Sequence, residues 1–507
     1  MVNYFYKFIK VFIPLSLTIL FIISSFTTTL AQPAISKAVK KGLEFGYNFN
    51  WAKSDDIFQG LIEKYPDDPR GYHFRASIYL WYYLSNQDKS DFKLFVAYSD
   101  SAIEKARNIL NKNPDDVDIL YILGSDYSYR AIAFSKSEKF LDAVWASKKS
   151  ESYLNRTLEL DSTYYDAYLG LGLYNFAVGQ IPSAFRWALN LAGIHGNKAT
   201  GLDYIKMAAK DGSISKVEAE YYLSQILSEF SDDYKESANY LKNLIGKYPK
   251  NLLFNYSYAV LNIKMRKLNE AQKLLVKIIR RQDTTFKQIT SFSWFLMGDV
   301  FYKKNMFDSA KIYYENFLNT STDNDYKGIA YYRLAVCYEI TGDRLQAKDY
   351  FGMTDKGNMD IEDDIFAKRR GEIYFKRPMT KMEIDLTKAK NYIDSGKYKT
   401  AIDSLSALLS KIKTDELKAE VYLDLSEANY YLGNYNESLN YALTSKLLNI
   451  NEEKWIKPFA CYYAARADQK IGDTTAVKSF IDEADSYSDY DYQKKIKNLI
   501  FALSSKE

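Results

Sequence analysis

The sequence predicts an all-α chain built as a row of helical hairpins. Three observations lead there. A short motif of large, small and aromatic residues recurs at regular spacing along the chain. Pro66, Pro69, Pro114 and Pro249 each follow a helix-like segment, where proline stops helices instead of interrupting them. No run alternates apolar and polar residues for long enough to make a sheet. A chain of 507 residues, 47% hydrophobic and 26% charged, has the composition of a folded array and not of a disordered one.

Residues 1–31 read as a signal peptide. Lys7 and Lys10 form a basic start, Val11 to Phe26 is apolar, and Thr29-Leu30-Ala31 before Gln32 has the small residues of a cleavage site. The alternative is an uncleaved anchor, because the uncharged run from Val11 to Ser36 is long enough to span a bilayer. Export is therefore expected, to the periplasm or the outer membrane, with membrane proximity as an open alternative. No cysteine stands near the site, which argues against a lipid-anchored form.

After the leader, a divergent array occupies 37–250. Lys37 to Asn50 and Ala52 to Tyr65 read as a first helical pair. A second begins at Tyr72, with a return helix from Ser101 to Asn111, and a third at Leu120. Tyr72, Leu120 and Tyr168 are evenly spaced, 48 residues apart. That period implies longer helices or longer loops, such as Ser85 to Ser90 and Ser135 to Glu138. From Tyr164 the chain enters a nearly uncharged insert, Phe176 to Gly196, whose only charge is Arg186. Its core, Pro182 to Ile194, is expected to be a helix buried in the array. If that segment were exposed, the chain would read instead as a membrane-associated component binding lipid or nutrient through residues 181–194.

Ser215 to Phe230 and Asp233 to Tyr248 form another pair, and regular repeats fill 252–354. Trp294-x2-Met297-Gly298-x2-Phe301 is followed 37 residues later by Tyr331, Leu334, Ala335 and Tyr338. Small residues at these positions let two helices approach, and large ones fill the space beside them. The charged stretch 355–380 reads as a linker or irregular connection, so the repeats form either one continuous array or two. Hairpins return in 381–507, where Gly396, Gly433 and Gly472 mark helix ends and a final helix from Asp489 to Leu503 caps the stack.

Catalytic and metal motifs are missing. His73 and His195 have no Cys or His partner at ligand spacing. Gly170 and Gly172 lack the continuation and the preceding strand of a phosphate loop. Cys337 and Cys461 lie in apolar helical patterns several hairpins apart, as buried small residues and not as a disulfide. No cofactor, metal or enzymatic activity is expected. Net charge is +4, or +2 without the leader, with both signs interspersed, so no cationic face for nucleic acid is legible. The 46 tyrosines read as amphipathic packing residues or as a recognition surface.

Leu120-x2-Leu123-Gly124-x2-Tyr127 and the Trp294 motif resemble the tetratricopeptide-repeat superfamily over most of residues 40–480. The resemblance implies a right-handed superhelical solenoid whose concave groove binds a protein or peptide. Carrying the groove offsets over gives Tyr121, Ser125 and Tyr129, then Phe295, Asp299, Tyr302 and Lys303, then Tyr332, Arg333, Val336 and Glu339. The same side chains could instead pack on neighbouring helices. The Lys and Asn set of carboxylate-clamp members is missing. Within 164–209, Gly170-x-Gly172-Leu173-Tyr174-Asn175, Pro182, a glycine at 193–196 and Gly201-Leu202 are similar to a segment of the inclusion-body-clearance (Iml-type) tetratricopeptide proteins and of exported bacterial repeat proteins. That likeness implies an adaptor, membrane-proximal in some members and without catalysis. Asn197-Lys198 stands where the eukaryotic pattern has an acid-base pair, so no lipid-droplet or mitochondrial role carries over.

Overall fold

The computed structural model describes residues 32–181, 193–230 and 234–504. The leader and residues 182–192 of the insert lie outside the described residues, and with them the expected burial of Pro182 to Ile194. Among the described residues all regular structure is helical, and consecutive helices pair as hairpins.

Two compact units are present. The first runs to Glu220 and takes in Tyr248–Asn251; the second holds Tyr221–Lys247 and Leu252–Glu507. The partition falls inside the Lys216–Phe230 helix, upstream of the 250/252 boundary read from sequence. Hydrogen bonds explain the assignment of Tyr248–Asn251. The Tyr248 hydroxyl donates to Glu44 at 3.0 Å, and Asn251 Nδ2 donates to the Tyr47 carbonyl at 3.0 Å.

In the first unit the long period comes from the helices. Pro69–Asn86, Lys89–Leu110, Val117–Lys136 and Phe140–Leu160 have 18, 22, 20 and 21 residues. The return helix starts at Lys89, not Ser101, and only Gln87 and Asp88 separate it from the helix before. Gln87 takes a left-handed conformation, and the Asp88 carboxylate caps the next helix by accepting from the Ser90 N–H at 2.8 Å. Asp68, Asp116 and Asn197 cap other helices in the same way.

The motif glycines sit where helices touch. A Cβ on Gly124 would lie 2.7 Å from Leu154, one on Gly172 2.6 Å from Ile205, and one on Gly298 2.6 Å from the Tyr314 ring. The core of the second unit grows around that last contact: Ala310, Tyr314, Phe317, Leu334, Ala335, Ala347 and Phe351 are all buried. Gly433 and Gly472 end helices at φ 85° and 100°, the left-handed region open to glycine.

The stretch 355–380, read from sequence as a linker or irregular connection, is partly helical. It contains the Glu362–Lys376 helix, which buries Ala367 and Tyr374. Asp364, fully buried, accepts the Ile329 and Asn358 N–H groups at 2.8 Å each. The next helix, Lys381–Asp394, opens with a capping box of Thr380 and Glu383. Burial pushes the Glu383 carboxyl up, but bonds from Arg377 and Thr380 outweigh it and hold the pKa at about 2. A depressed carboxyl stabilises the fold above its unfolded pKa of about 4.3, and that contribution disappears as pH falls toward 2. Unfolding midpoints will therefore fall more steeply below pH ~4.5 in the wild type than in Glu383→Gln. Thr380→Ala will cost about 1 kcal/mol at neutral pH.

Candidate functional site

Eight of the residues assigned to the groove lie in the second unit, and the fold engages all of them, Phe295 and Val336 by burial. Asp299, buried, accepts the Tyr314 hydroxyl at 2.6 Å and pairs with the Arg333 guanidinium. That guanidinium also lies 5.7 Å from the centre of the Phe295 ring. The Tyr302 carbonyl accepts from Asn391 at 2.9 Å, and the Lys303 ammonium pairs with Asp394, so the Lys381–Asp394 helix seats against the end of Lys287–Lys303. Tyr332 is buried among Phe351, Phe366 and Tyr374. Glu339 accepts from Arg344 at 2.8 Å and from the Met379 N–H at 3.1 Å. Asp299 and Arg333 meet directly, whereas Glu339 stands near the far end of its helix.

Two side chains with larger accessible faces, Lys390 and Tyr431, were not among those assigned. Lys390 reaches Asp424 at 3.1 Å with its own side chain 39% exposed. The other Asp424 oxygen has no hydrogen-bond partner among the described residues. Burial pushes the Asp424 carboxyl up to about 7, with Lys390 opposing and Glu420 and Glu427 adding to the rise. Tyr431, 39% exposed, lies 3.7 Å beneath the Arg266 guanidinium, which pairs with Glu427. The Arg466 guanidinium covers Tyr430 at 4.0 Å and reaches the Tyr431 hydroxyl at 3.4 Å. Arg369 and Arg370 share Glu453, at 2.7 and 2.9 Å. The charged stretch read as a linker or irregular connection thus supplies two of these ion pairs. Several repeats supply these groups, and most of them are held in ion pairs or against tyrosine rings with little exposure.

In the first unit Tyr121 is buried beside Tyr164, ring centres 5.0 Å apart. Tyr129 stacks on His73 at 5.2 Å and donates to both Glu218 oxygens at 3.1 and 3.2 Å. His73 Nδ1 lies 3.0 Å from Asp126, which the Ser99 hydroxyl also meets. The order Ser99–Asp126–His73 puts the serine on the aspartate, so the imidazole is not placed to take its proton. His73, Ser99 and Asp126 are all buried. His195 is exposed. Both cysteines are free and buried, and burial pushes their thiols up, Cys461 to about 12, away from the thiolate a nucleophile needs. Among the described residues no group of three His, Cys, Asp or Glu side chains is placed to hold a metal ion, and no helix is long and apolar enough to cross a membrane.

Residues 129–371 match the family described as Iml2/Tetratricopeptide repeat protein 39. The comparison with curated proteins gives no match. Among solved structures the chain is similar to yeast Tom70, at 14% identity and a TM-score of 0.28, covering 94% of this chain and 96% of that one. It is similar to the human IFIT1 dimer with PPP-AAAA at 14% identity and a TM-score of 0.35, over 81% and 93% of the two chains. The APC/C heterotetramer Cut9–Hcn1 gives 11% identity and a TM-score of 0.27, over 90% and 88%. Likenesses this distant bear on neither partner nor activity.

Proposed function

We propose that this tetratricopeptide-repeat chain, with its Iml2-type segment, is an exported, non-catalytic scaffold. It binds an extended segment of a protein partner along the second unit. The leader motivates export to the periplasm or the outer membrane. The observation that carries the binding reading is the accessible pair Lys390 and Tyr431, set among charges that the fold has already compensated. Half-exposed tyrosine and cationic side chains held by neighbours lose little freedom on binding, which is why such groups serve as anchors.

Tyr332 and Arg333 are poor probes of this surface, because changing them disturbs the core first. Lys390→Gln keeps a donor for Asp424, and Tyr431→Ala removes an exposed ring. After crosslinking in the native cell envelope, the double variant will recover the partner at least about tenfold less than the wild type. Recovery is compared at a temperature well below the thermal midpoints of both proteins, because Lys390 and Tyr431 also serve Asp424 and Arg266. Undiminished recovery would place the partner elsewhere.

A further inference from the structure

Glu218 belongs to the first unit and is 6% exposed. A carboxylate removed from water needs a cation or several strong donors, because burying it alone is costly. Its counterparts have them. Asp126 faces His73, Asp299 faces Arg333 and Glu453 faces two arginines. Asp166 accepts the Ser213, Ile214 and Ser215 N–H groups at 2.8 to 2.9 Å. Glu218 accepts instead from neutral donors, the Tyr129 hydroxyl and the Trp81 side chain. Among the described residues no Lys or Arg forms an ion pair with it. Burial raises its pKa, with Tyr129, the nearby His73 imidazole and Trp81 opposing.

Its surroundings are aromatic. Tyr121, Ser125 and Tyr129 recur every four residues along Val117–Lys136 and so share one face of that helix. Tyr47 lies 5.5 Å from Tyr248, ring centre to ring centre, and its buried hydroxyl has no hydrogen-bond partner among the described residues. After burial, the Glu218 charge is the largest influence raising the Tyr47 hydroxyl, and it also bears on Tyr121. Tyr47, Trp81, Ser125 and Tyr129 are only half-buried.

A buried carboxylate among tyrosines, with the unbonded Tyr47 hydroxyl within reach of its charge, attracts a cation and repels an anion. We propose that Glu218, Tyr129, Tyr121 and Tyr47 receive the ammonium group of a lysine side chain carried by a bound peptide. The narrow methylene stem can lie along the rings while the ammonium meets the carboxylate.

The test uses the full chain and Nα-acetyl-L-lysinamide at millimolar concentration, followed by calorimetry, with the uncharged Nα-acetyl-L-norleucinamide as control. The lysine compound will bind and the norleucine compound will not. Glu218→Gln preserves volume and an acceptor for Tyr129. It will weaken binding at least tenfold while leaving the thermal midpoint unchanged or higher. No lysine binding by the wild type, equal binding of norleucine, or full binding by Glu218→Gln would each overturn the proposal. So would a lowered midpoint in Glu218→Gln, which would make the carboxylate a structural strut. Lys390→Gln/Tyr431→Ala should leave this binding intact, so the outcome is independent of the surface on the second unit.

Discussion

Asp299→Ala will destabilise the second unit by about 3–5 kcal/mol, the cost of breaking a buried ion pair from one side. The carboxylate serves two donors at once, the Tyr314 hydroxyl and the Arg333 guanidinium. Its removal strands both, and neither has room to find water, because Tyr314 is fully buried and Arg333 largely so. Asp299→Asn keeps one acceptor oxygen and will cost less. Removing both charges in Asp299→Leu/Arg333→Met will recover much of the loss, since the penalty comes from the uncompensated partner and not from the missing attraction. Repeats couple mainly to their neighbours, so protection from hydrogen exchange should be lost first between residues 287 and 351. Urea unfolding of the four proteins measures the energies. A single-variant cost below about 1 kcal/mol would mean that the pair is solvated and contributes as a surface bridge does.

That pair also shows where the sequence is easy to read and where it is not. The glycines at 124, 172 and 298 repeat in register with large residues, and a period is visible in one dimension; the structure puts each against a neighbouring helix. Arg333 and Asp299 were both assigned to the groove as separate side chains, because charge on a helix ordinarily faces water. Their separation carries the missing information. Arg333 and Asp299 are 34 residues apart, as are Lys390 and Asp424, while Lys264 and Glu229 are separated by 35 and Lys446 and Glu483 by 37. Opposite charges one repeat apart sit on adjacent hairpins. Complementary signs at the repeat period are therefore a readable signal for internal ion pairs. No such rule reaches Arg369 and Arg370, whose partner Glu453 is 84 and 83 residues away. Nor does one give Glu218, which lies 89 residues from Tyr129. Contacts across several hairpins depend on how a stack closes on itself, and no local pattern encodes that.

Gly201→Ala will lower the stability of the first unit by about 2–3 kcal/mol, as overpacking a closed contact does. The glycines between 170 and 201 seam Ala167–Gly179 to the chain that follows. A Cβ on Gly179 would lie 2.6 Å from the Lys198 nitrogen, and one on Gly196 2.5 Å from the Val178 Cβ. At Gly201 the obstacle is backbone: the Phe176 nitrogen at 2.5 Å and the Gly172 carbonyl oxygen at 2.7 Å. Backbone atoms held in a helix cannot swing aside as a side chain can, so the two helices must separate, and every contact along the seam loosens with them. Gly60 provides the opposing case on an exposed face of Trp51–Lys64, where a Cβ would meet nothing within 4 Å. There alanine is the better helix former by roughly 0.5–1 kcal/mol, and Gly60→Ala should raise stability. The opposite signs separate the two explanations for a helical glycine. If the glycines at this seam were tolerated only because nothing selects against them, both substitutions would stabilise. If they set the distance between helices, Gly201→Ala will destabilise and Gly60→Ala will not, and thermal unfolding of the two variants decides between them.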